Sequence, residues 1–459
     1  MKSVYSPNDF LNLSSDYEMI QAAVDEAAKY GATVEIPRFN ERTKKHLWEI
    51  DKTILLHTGS NVVLDNCHIR LCDYSYSGFF TNSNTENGDS VFLKKNRQFD
   101  ITITGVGNPV LDGGKPLDVK EIDYILYNWD TGEYLGRNVI DGREDMCHSI
   151  GIKFINVERV KVSNIHFINQ RYWGLCFWFC SFGVVRDIQL EGMNQVPNQD
   201  GVNLRVGTNN FIVENIWGYT GDDPVALNGM DGDRKDKSDM CPDIHHIVVR
   251  NIRIHLTWDA GFVRMNARNG VKLHDILVDG VMDLSDPGDS AHGSSCIRIG
   301  DMTSWGNSKF NVMGEMKNVV VRNVITRAQF GILVAETLCN AVFDSIFIKG
   351  GCTMGVYFNR ANLKNVTVNN LHYDEAYEAM DSEIGWSEPF HKIPEIKELS
   401  AVHFEECTTE NVVFNGVSSG KNFSNVFGGT GSVEITAKDV ATNDKKTKIS
   451  NDAVKVNLK

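Results

Sequence analysis

Short runs in which apolar and polar residues alternate recur along most of this chain. VKVSNIHFI, NFIVENIWG, HIVVRNIRI, GVKLHDILV and NVVVRNVIT are examples, rich in β-branched residues. Alternation with period two marks strands with one buried face. A second short apolar segment follows each run, as in GLCFWF, DGVNLRV, DPVALN, GFVRMN, CIRIG, GILVAE and GVYFN. Within the first runs a polar residue regularly precedes an aliphatic one: Asn164-Ile165, Asp187-Ile188, Asn215-Ile216, Asn251-Ile252, Asp275-Ile276, Asn323-Val324, Ser345-Ile346 and Asn370-Leu371. Successive first members lie 23, 28, 36, 24, 48, 22 and 25 residues apart. The 48 reads as two turns of 24, and the 28 and 36 as turns carrying insertions. Repeats of this length cannot bury their own apolar face and must stack.

No helical stretch separates the paired strands, which disfavours a sheet of βαβ units. An antiparallel sandwich would not return the same side-chain type once per turn. We therefore expect an all-β fold, a single-stranded right-handed parallel β-helix in which equivalent residues stack at a spacing of about 4.8 Å. The recurrent Asn/Asp residues are expected inside the coil at a turn, bonding the backbone above and below. Ser15-Asp16-Tyr17-Glu18 is a capping box that opens a helix through about Tyr30, with Ile20, Ala23, Val24 and Ala27 on its apolar face. That helix would cover the open N-terminal strand edges of the solenoid. Residues 1–436 then form the β-helix domain with its cap. Residues 437–459 form a polar tail or capping strand, and segments 116–147, 229–243 and 374–396 are insertions.

Composition narrows the partners. The net charge of −14 argues against nucleic acid, which selects a basic footprint. No stretch approaches the ~20 apolar residues needed to span a bilayer, and the N-terminus lacks a signal-peptide pattern. A cytoplasmic location is expected, with no membrane partner. The 10 cysteines form no CxxC pair and match no zinc spacing, so we expect reduced, mostly buried thiols and no metal or cofactor. A homo-oligomer is compatible with the sequence.

Three acids concentrate within one repeat: Asp200 in NQDGVNL, and Asp222 and Asp223 in TGDDPVAL. Asp200 and Asp222 are 22 residues apart, so we expect them on the same edge of adjacent rungs. Close carboxylates repel, and one of the three should hold its proton more tightly than usual. An acid for a leaving oxygen and a base for water are what glycosidic cleavage requires. Turn-forming Asp-Gly chemistry and a calcium site built from Asp oxygens fit the same spacing.

The segment from Cys147 to Gly300 resembles glycoside hydrolase family 28, the polygalacturonases. The members of that family carry Asn-Thr-Asp, then Gly-Asp-Asp about one coil later, then Gly-His-Gly and Arg-Ile-Lys. Here Asn198-Gln199-Asp200 and Gly221-Asp222-Asp223 stand at matching spacing, and HSIGIKFINVERVKVSNIHFINQRYWGLCFWFC is similar to the coil before that site. The resemblance implies a right-handed parallel β-helix and an inverting single displacement. Asp222 would be the general acid. Asp200 and Asp223 would hold and deprotonate the water, with acid and base carboxyls about 6.5–9.5 Å apart. Two motifs depart from the family. Asp259-Ala260-Gly261 stands for Gly-His-Gly, and Arg298-Ile299-Gly300 lacks the final Lys.

Alternation places Asn203, Arg264 and Arg298 outward, with the two arginines one rung apart in position to grip a sugar carboxylate unless Asp259, Asp301 or Glu336 pairs with them. Arg205 and Arg268 are further candidates. Trp173, Trp258 and Trp305 are candidate stacking surfaces for sugar rings, while Trp178 is expected inside the coil. The sequence thus points to a glycoside hydrolase acting on short oligosaccharides, uronic-acid-containing ones among them. A non-catalytic carbohydrate-binding or structural β-helix, or a β-helix lyase, epimerase or neutral-sugar glycosidase, is the alternative.

Overall fold

The computed structural model describes residues 2–73, 75, 77–114, 125–128, 133–137, 149–192, 198–230, 232–256, 260–285, 295–301, 309–349, 354–375 and 399–459. The chain divides into two compact units. One comprises Met1–Leu126, Leu135–Ala226 and Asp233–Asp243; the other comprises Tyr127–Tyr134, Leu227–Gly232 and Ile244–Lys459.

In the first unit the strands Thr33–Pro37, Asn61–Asp65, Gln98–Val106, Val157–Ile168, Ser181–Glu191 and Asn209–Thr220 pair in parallel, each with the next. A second parallel sheet runs through Ile54–Leu56, Phe80–Asn82, Ile152–Ile155, Leu175–Trp178 and Val202–Arg205. The two sheets alternate along the chain, as coils of a right-handed parallel β-helix do. Registry puts Val34, Val62, Ile103, Val162, Val185 and Val213 in one column, all fully or almost fully buried. Each such side chain contributes roughly 1.5–3 kcal/mol by leaving water.

The predicted cap is present. A helix spans Asp16–Tyr30 behind a reciprocal Ser15–Glu18 capping box and ends at Gly31, whose φ is 62°. Its buried face includes Ile20, Ala23, Val24 and Ala27. It also pairs the adjacent strand directly: Gln21 Oε1 accepts from the Leu55 amide (2.8 Å), and its Nε2 donates to the Leu55 carbonyl (3.1 Å). A strand edge that would otherwise face water is thereby satisfied.

The second unit repeats the pattern from Ile244–Leu256 to Val433–Thr442 and Val454–Leu458 in one sheet. Its other sheet runs from Gly261–Asn266 to Asn425–Gly429 and Lys448–Ser450. Residues 448–458 therefore belong to the sheets. The strand Leu273–Asp283 pairs directly with Met316–Thr326, and Asp275 and Asn318 occupy equivalent bends. The 48-residue step is thus one coil with an insertion, not two coils.

The recurrent Asn/Asp positions are not inside the coil. They are part-exposed or exposed, with φ near +55°. Most of the long strands bend at two left-handed residues five apart: Asn210/Asn215, Asn318/Asn323, Asn340/Ser345 and Asn365/Asn370 are examples. Asn tolerates this conformation better than other non-glycine residues. On the surface the amides then link coil to coil. Asn318 donates to Asp275 (2.8 Å), Asn365 to Asn340 (3.0 Å) and Asn411 to Asn365 (3.0 Å). Replacing Asn365 by Ala should cost about 1–2 kcal/mol, the penalty for a left-handed alanine. Asn365→Gly should recover much of that loss in thermal melts.

Candidate functional site

The three acids converge. One carboxylate oxygen from each of Asp200, Asp222 and Asp223 lies within 4.8 Å of the other two. The backbone explains why. The Gly151 amide donates to the Trp173 carbonyl (2.9 Å), Gly174 to Asp200 (2.8 Å) and Gly201 to Asp223 (2.9 Å). Trp173, Asp200 and Asp223 therefore hold the same position in three successive coils. Asp200 stacks on Asp223, not on Asp222 as the 22-residue spacing suggested. Asp222 precedes the stacked position, in the turn before the strand Val225–Asn228, so the alternation of strand side chains does not separate it from Asp223.

Glycine is required at this corner. A Cβ on Gly201 would lie 2.4 Å from the Pro224 carbonyl oxygen and 2.7 Å from Leu190 Cδ1. In the turn itself, Thr220 Oγ1 donates to the Asp222 carbonyl (2.6 Å), and Asp222 Oδ1 accepts the Asp223 amide (2.8 Å). Asp222 is partly exposed, whereas Asp200 (5%) and Asp223 (1%) are nearly buried. The closest carboxylate oxygens are nearer than the 6.5–9.5 Å expected of an inverting acid–base pair, so separation does not carry the stereochemical assignment.

A set of amides fixes Asp200. Asn203, fully buried, donates Nδ2 to Asp200 Oδ2 (3.0 Å). It holds the carboxylate instead of facing a ligand, which corrects its expected role. Gln170 Nε2 donates to the Asp200 carbonyl (2.8 Å), and Gln199 Nε2 donates to the Gln170 carbonyl (2.6 Å). Sequence reasoning passed over Gln170, since a lone Gln beside an aromatic pair carries no periodic signal.

Trp173 lies against Tyr172, with ring centroids 4.8 Å apart, and the Arg205 guanidinium sits 4.6 Å from its ring centre. Tyr172 and Arg205 thus both pack against Trp173, which stays partly exposed. Trp178 is buried, but not inside the coil. It alternates with the inward Leu175 and Phe177, contacts Trp173, and is covered by Arg234 at 4.4 Å. Arg234 belongs to the 229–243 insertion, which is tied down through Ser238 Oγ to the Phe92 carbonyl (2.8 Å).

The second unit contains the other arginines. Registry places Arg264 directly opposite Arg298. Both are spent on Asp301, Arg264 at 2.6 Å and Arg298 at 2.9 Å, and Asn266 adds a bond of 2.8 Å. Arg268, fully buried, pairs with Glu336 at 2.5 Å. These contacts replace the carboxylate clamp expected of Arg264 and Arg298. Burial works to raise the Asp301 carboxyl, but Arg264, Arg298 and the Asn266 amide outweigh it and hold it well below the usual range. Burial pushes Glu336 up to about 8 against the pull of Arg268, and Asp301 adds to the rise. Trp258 and Trp305 lie outside the described residues.

No family model matches the chain, and no curated protein is similar to it. Solved structures match it along nearly all its length. The N-terminal fragment of gene product 12 of bacteriophage phi29 is 11% identical, with 95% of this chain and 70% of that one covered, at a TM-score of 0.51. The family 28 exopolygalacturonase of Yersinia enterocolitica is 14% identical, with 100% and 78% covered, at 0.45. The A-module of a mannuronan C-5 epimerase from Azotobacter vinelandii is 12% identical, with 98% and 99% covered, at 0.49. Family 28 enzymes thus stand among the similar structures, but at such identity the likeness is one of fold. A fold by itself does not select the chemistry.

Replacing Asp301 by Asn removes the buried carboxylate that Arg264 and Arg298 share. We expect a loss of about 3–5 kcal/mol in denaturant titrations. Because the carboxyl is depressed in the folded state, its contribution is present above the unfolded value of about 3.9. That contribution should be lost only as the pH falls below about 4.

Proposed function

We propose that this chain is a glycoside hydrolase with Asp222 as general acid and Asp200 and Asp223 as the groups that hold and deprotonate the attacking water. The supporting observation is the meeting of three carboxylates, from two neighbouring coils, at one corner. Their environments differ in a way that suits unlike roles. Asp222 is the most open of the three and meets the leaving oxygen at the entrance. Asp200 accepts from Asn203, which holds its carboxylate in place beside the water. The water protonates neither Asp200 nor Asp223 until its oxygen bonds to the anomeric carbon. The proton from Asp222 goes to the departing sugar as the glycosidic bond breaks.

Short oligosaccharides are the proposed substrates. Tyr172 and Trp173 lie one coil before Asp200, and Arg205, on the coil of Asp200 itself, packs on Trp173 and supplies positive charge for a uronate. One geometric fact favours a second assignment. Ligands 2.3–2.6 Å from one calcium ion lie at most about 5 Å apart, as these oxygens do. A cation at this corner would serve a lyase or a structural role.

Asp222→Asn separates the two. As general acid, Asp222 contributes about 10²–10⁴-fold, so kcat should fall by that factor while the melting temperature stays nearly unchanged. Wild-type turnover should survive EDTA. Full activity of the variant removes the mechanism, and loss of activity in EDTA that calcium restores assigns the corner to a cation.

A further inference from the structure

Away from the aromatic side chains beside the acids, another pair in the same unit faces outward. Trp217 and Tyr219 lie two residues apart on the strand Asn209–Thr220, with Ile216 and Thr220 buried on the opposite face. Tyr219 is 37% exposed. Registry places Gln189 beside Trp217 and Glu191 beside Tyr219, with His166 beside Gln189 one coil further on. Gly218, between the aromatics, has φ of 114°, and a Cβ there would sit 2.0 Å from the Leu190 carbonyl oxygen. The strand can present its two rings in this geometry only because residue 218 is glycine.

Charge on the patch is already met. Gln189 Nε2 donates to Glu191 Oε1 (3.0 Å), and His166 Nε2 lies 3.0 Å from the same oxygen, close though not aligned as a hydrogen bond. Two ring surfaces beside an amide and a bonded carboxylate match an uncharged polyhydroxyl ligand. Apolar sugar faces settle on the rings while hydroxyls exchange hydrogen bonds with the polar groups. An anionic ligand would meet Glu191.

We infer that Trp217, Tyr219, Gln189 and Glu191, backed by His166, form a second carbohydrate site, outside the acid corner, that takes the sugar rings of a neutral polysaccharide. It goes beyond the hydrolase proposal and does not need it. A chain held there raises the local concentration of glycan at the enzyme without taking part in cleavage.

Native electrophoresis through gels containing a β-glucan, a galactan or a mannan tests the site. The wild-type protein should be retarded in at least one gel relative to a non-binding reference protein. Asp222→Asn should be retarded equally, because binding is independent of the acids. Trp217→Ala/Tyr219→Ala should lose most of the retardation, while Trp217→Phe keeps part of it. The double variant should retain wild-type turnover of short oligosaccharides and a wild-type circular dichroism spectrum. Retardation of the folded double variant equal to wild type overturns the proposal, as does a wild-type protein that runs with the reference in all three gels.

Discussion

Coil-on-coil registry is the constraint from which the candidate site follows. Parallel strands about 4.8 Å apart return each position to the same corner once per turn. At one corner the repeated position is Trp173, Asp200 and Asp223, each followed by a small or ring-closed residue: Gly174, Gly201 and Pro224. Without a side chain at Gly201, the next coil can approach closely enough for two carboxylates to meet. Asp222 joins them from the turn. Like charges that would disperse on a free chain are held together by backbone hydrogen bonds whose combined strength exceeds their repulsion.

Bringing acids together is costly, and the surrounding polar groups show how the cost is contained. Asn203 donates to the carboxylate of Asp200 and Gln170 to its carbonyl, while Gln199 donates to the Gln170 carbonyl and holds that segment. In the other unit the opposite problem has a matching answer. Arg264 and Arg298, stacked one rung apart, share Asp301. An arginine pair that satisfies its own charge internally is poorly placed to recognise a sugar carboxylate.

Much of the fold was legible because its periodicity is chemical. Alternation gave the strands, and Ser15–Glu18 gave the cap. The Asn residues gave the bends, although their side chains lie outside the coil: αL tolerance and a wish for burial leave the same mark in a sequence. The two-coil assignment of the 48-residue step failed because an insertion of nearly one repeat mimics an extra coil. The acids were identified by spacing and resemblance, yet the stacking partner was off by one residue. Registry depends on the length of the turn before the strand, which no periodicity encodes. The fates of Asn203, Arg264 and Arg298 were hidden for a different reason. Alternation tells which way a side chain leaves the sheet but not whether a neighbouring carboxylate is waiting for it.

The most direct test of the acid–base corner is the anomeric configuration of the sugar first released, followed by proton NMR during turnover of an oligosaccharide of known linkage. Water held between Asp200 and Asp223, with Asp222 protonating the leaving oxygen, predicts that the newly formed reducing end appears first in the configuration opposite to the bond cleaved. Retention of configuration, or an unsaturated product from elimination, would contradict it.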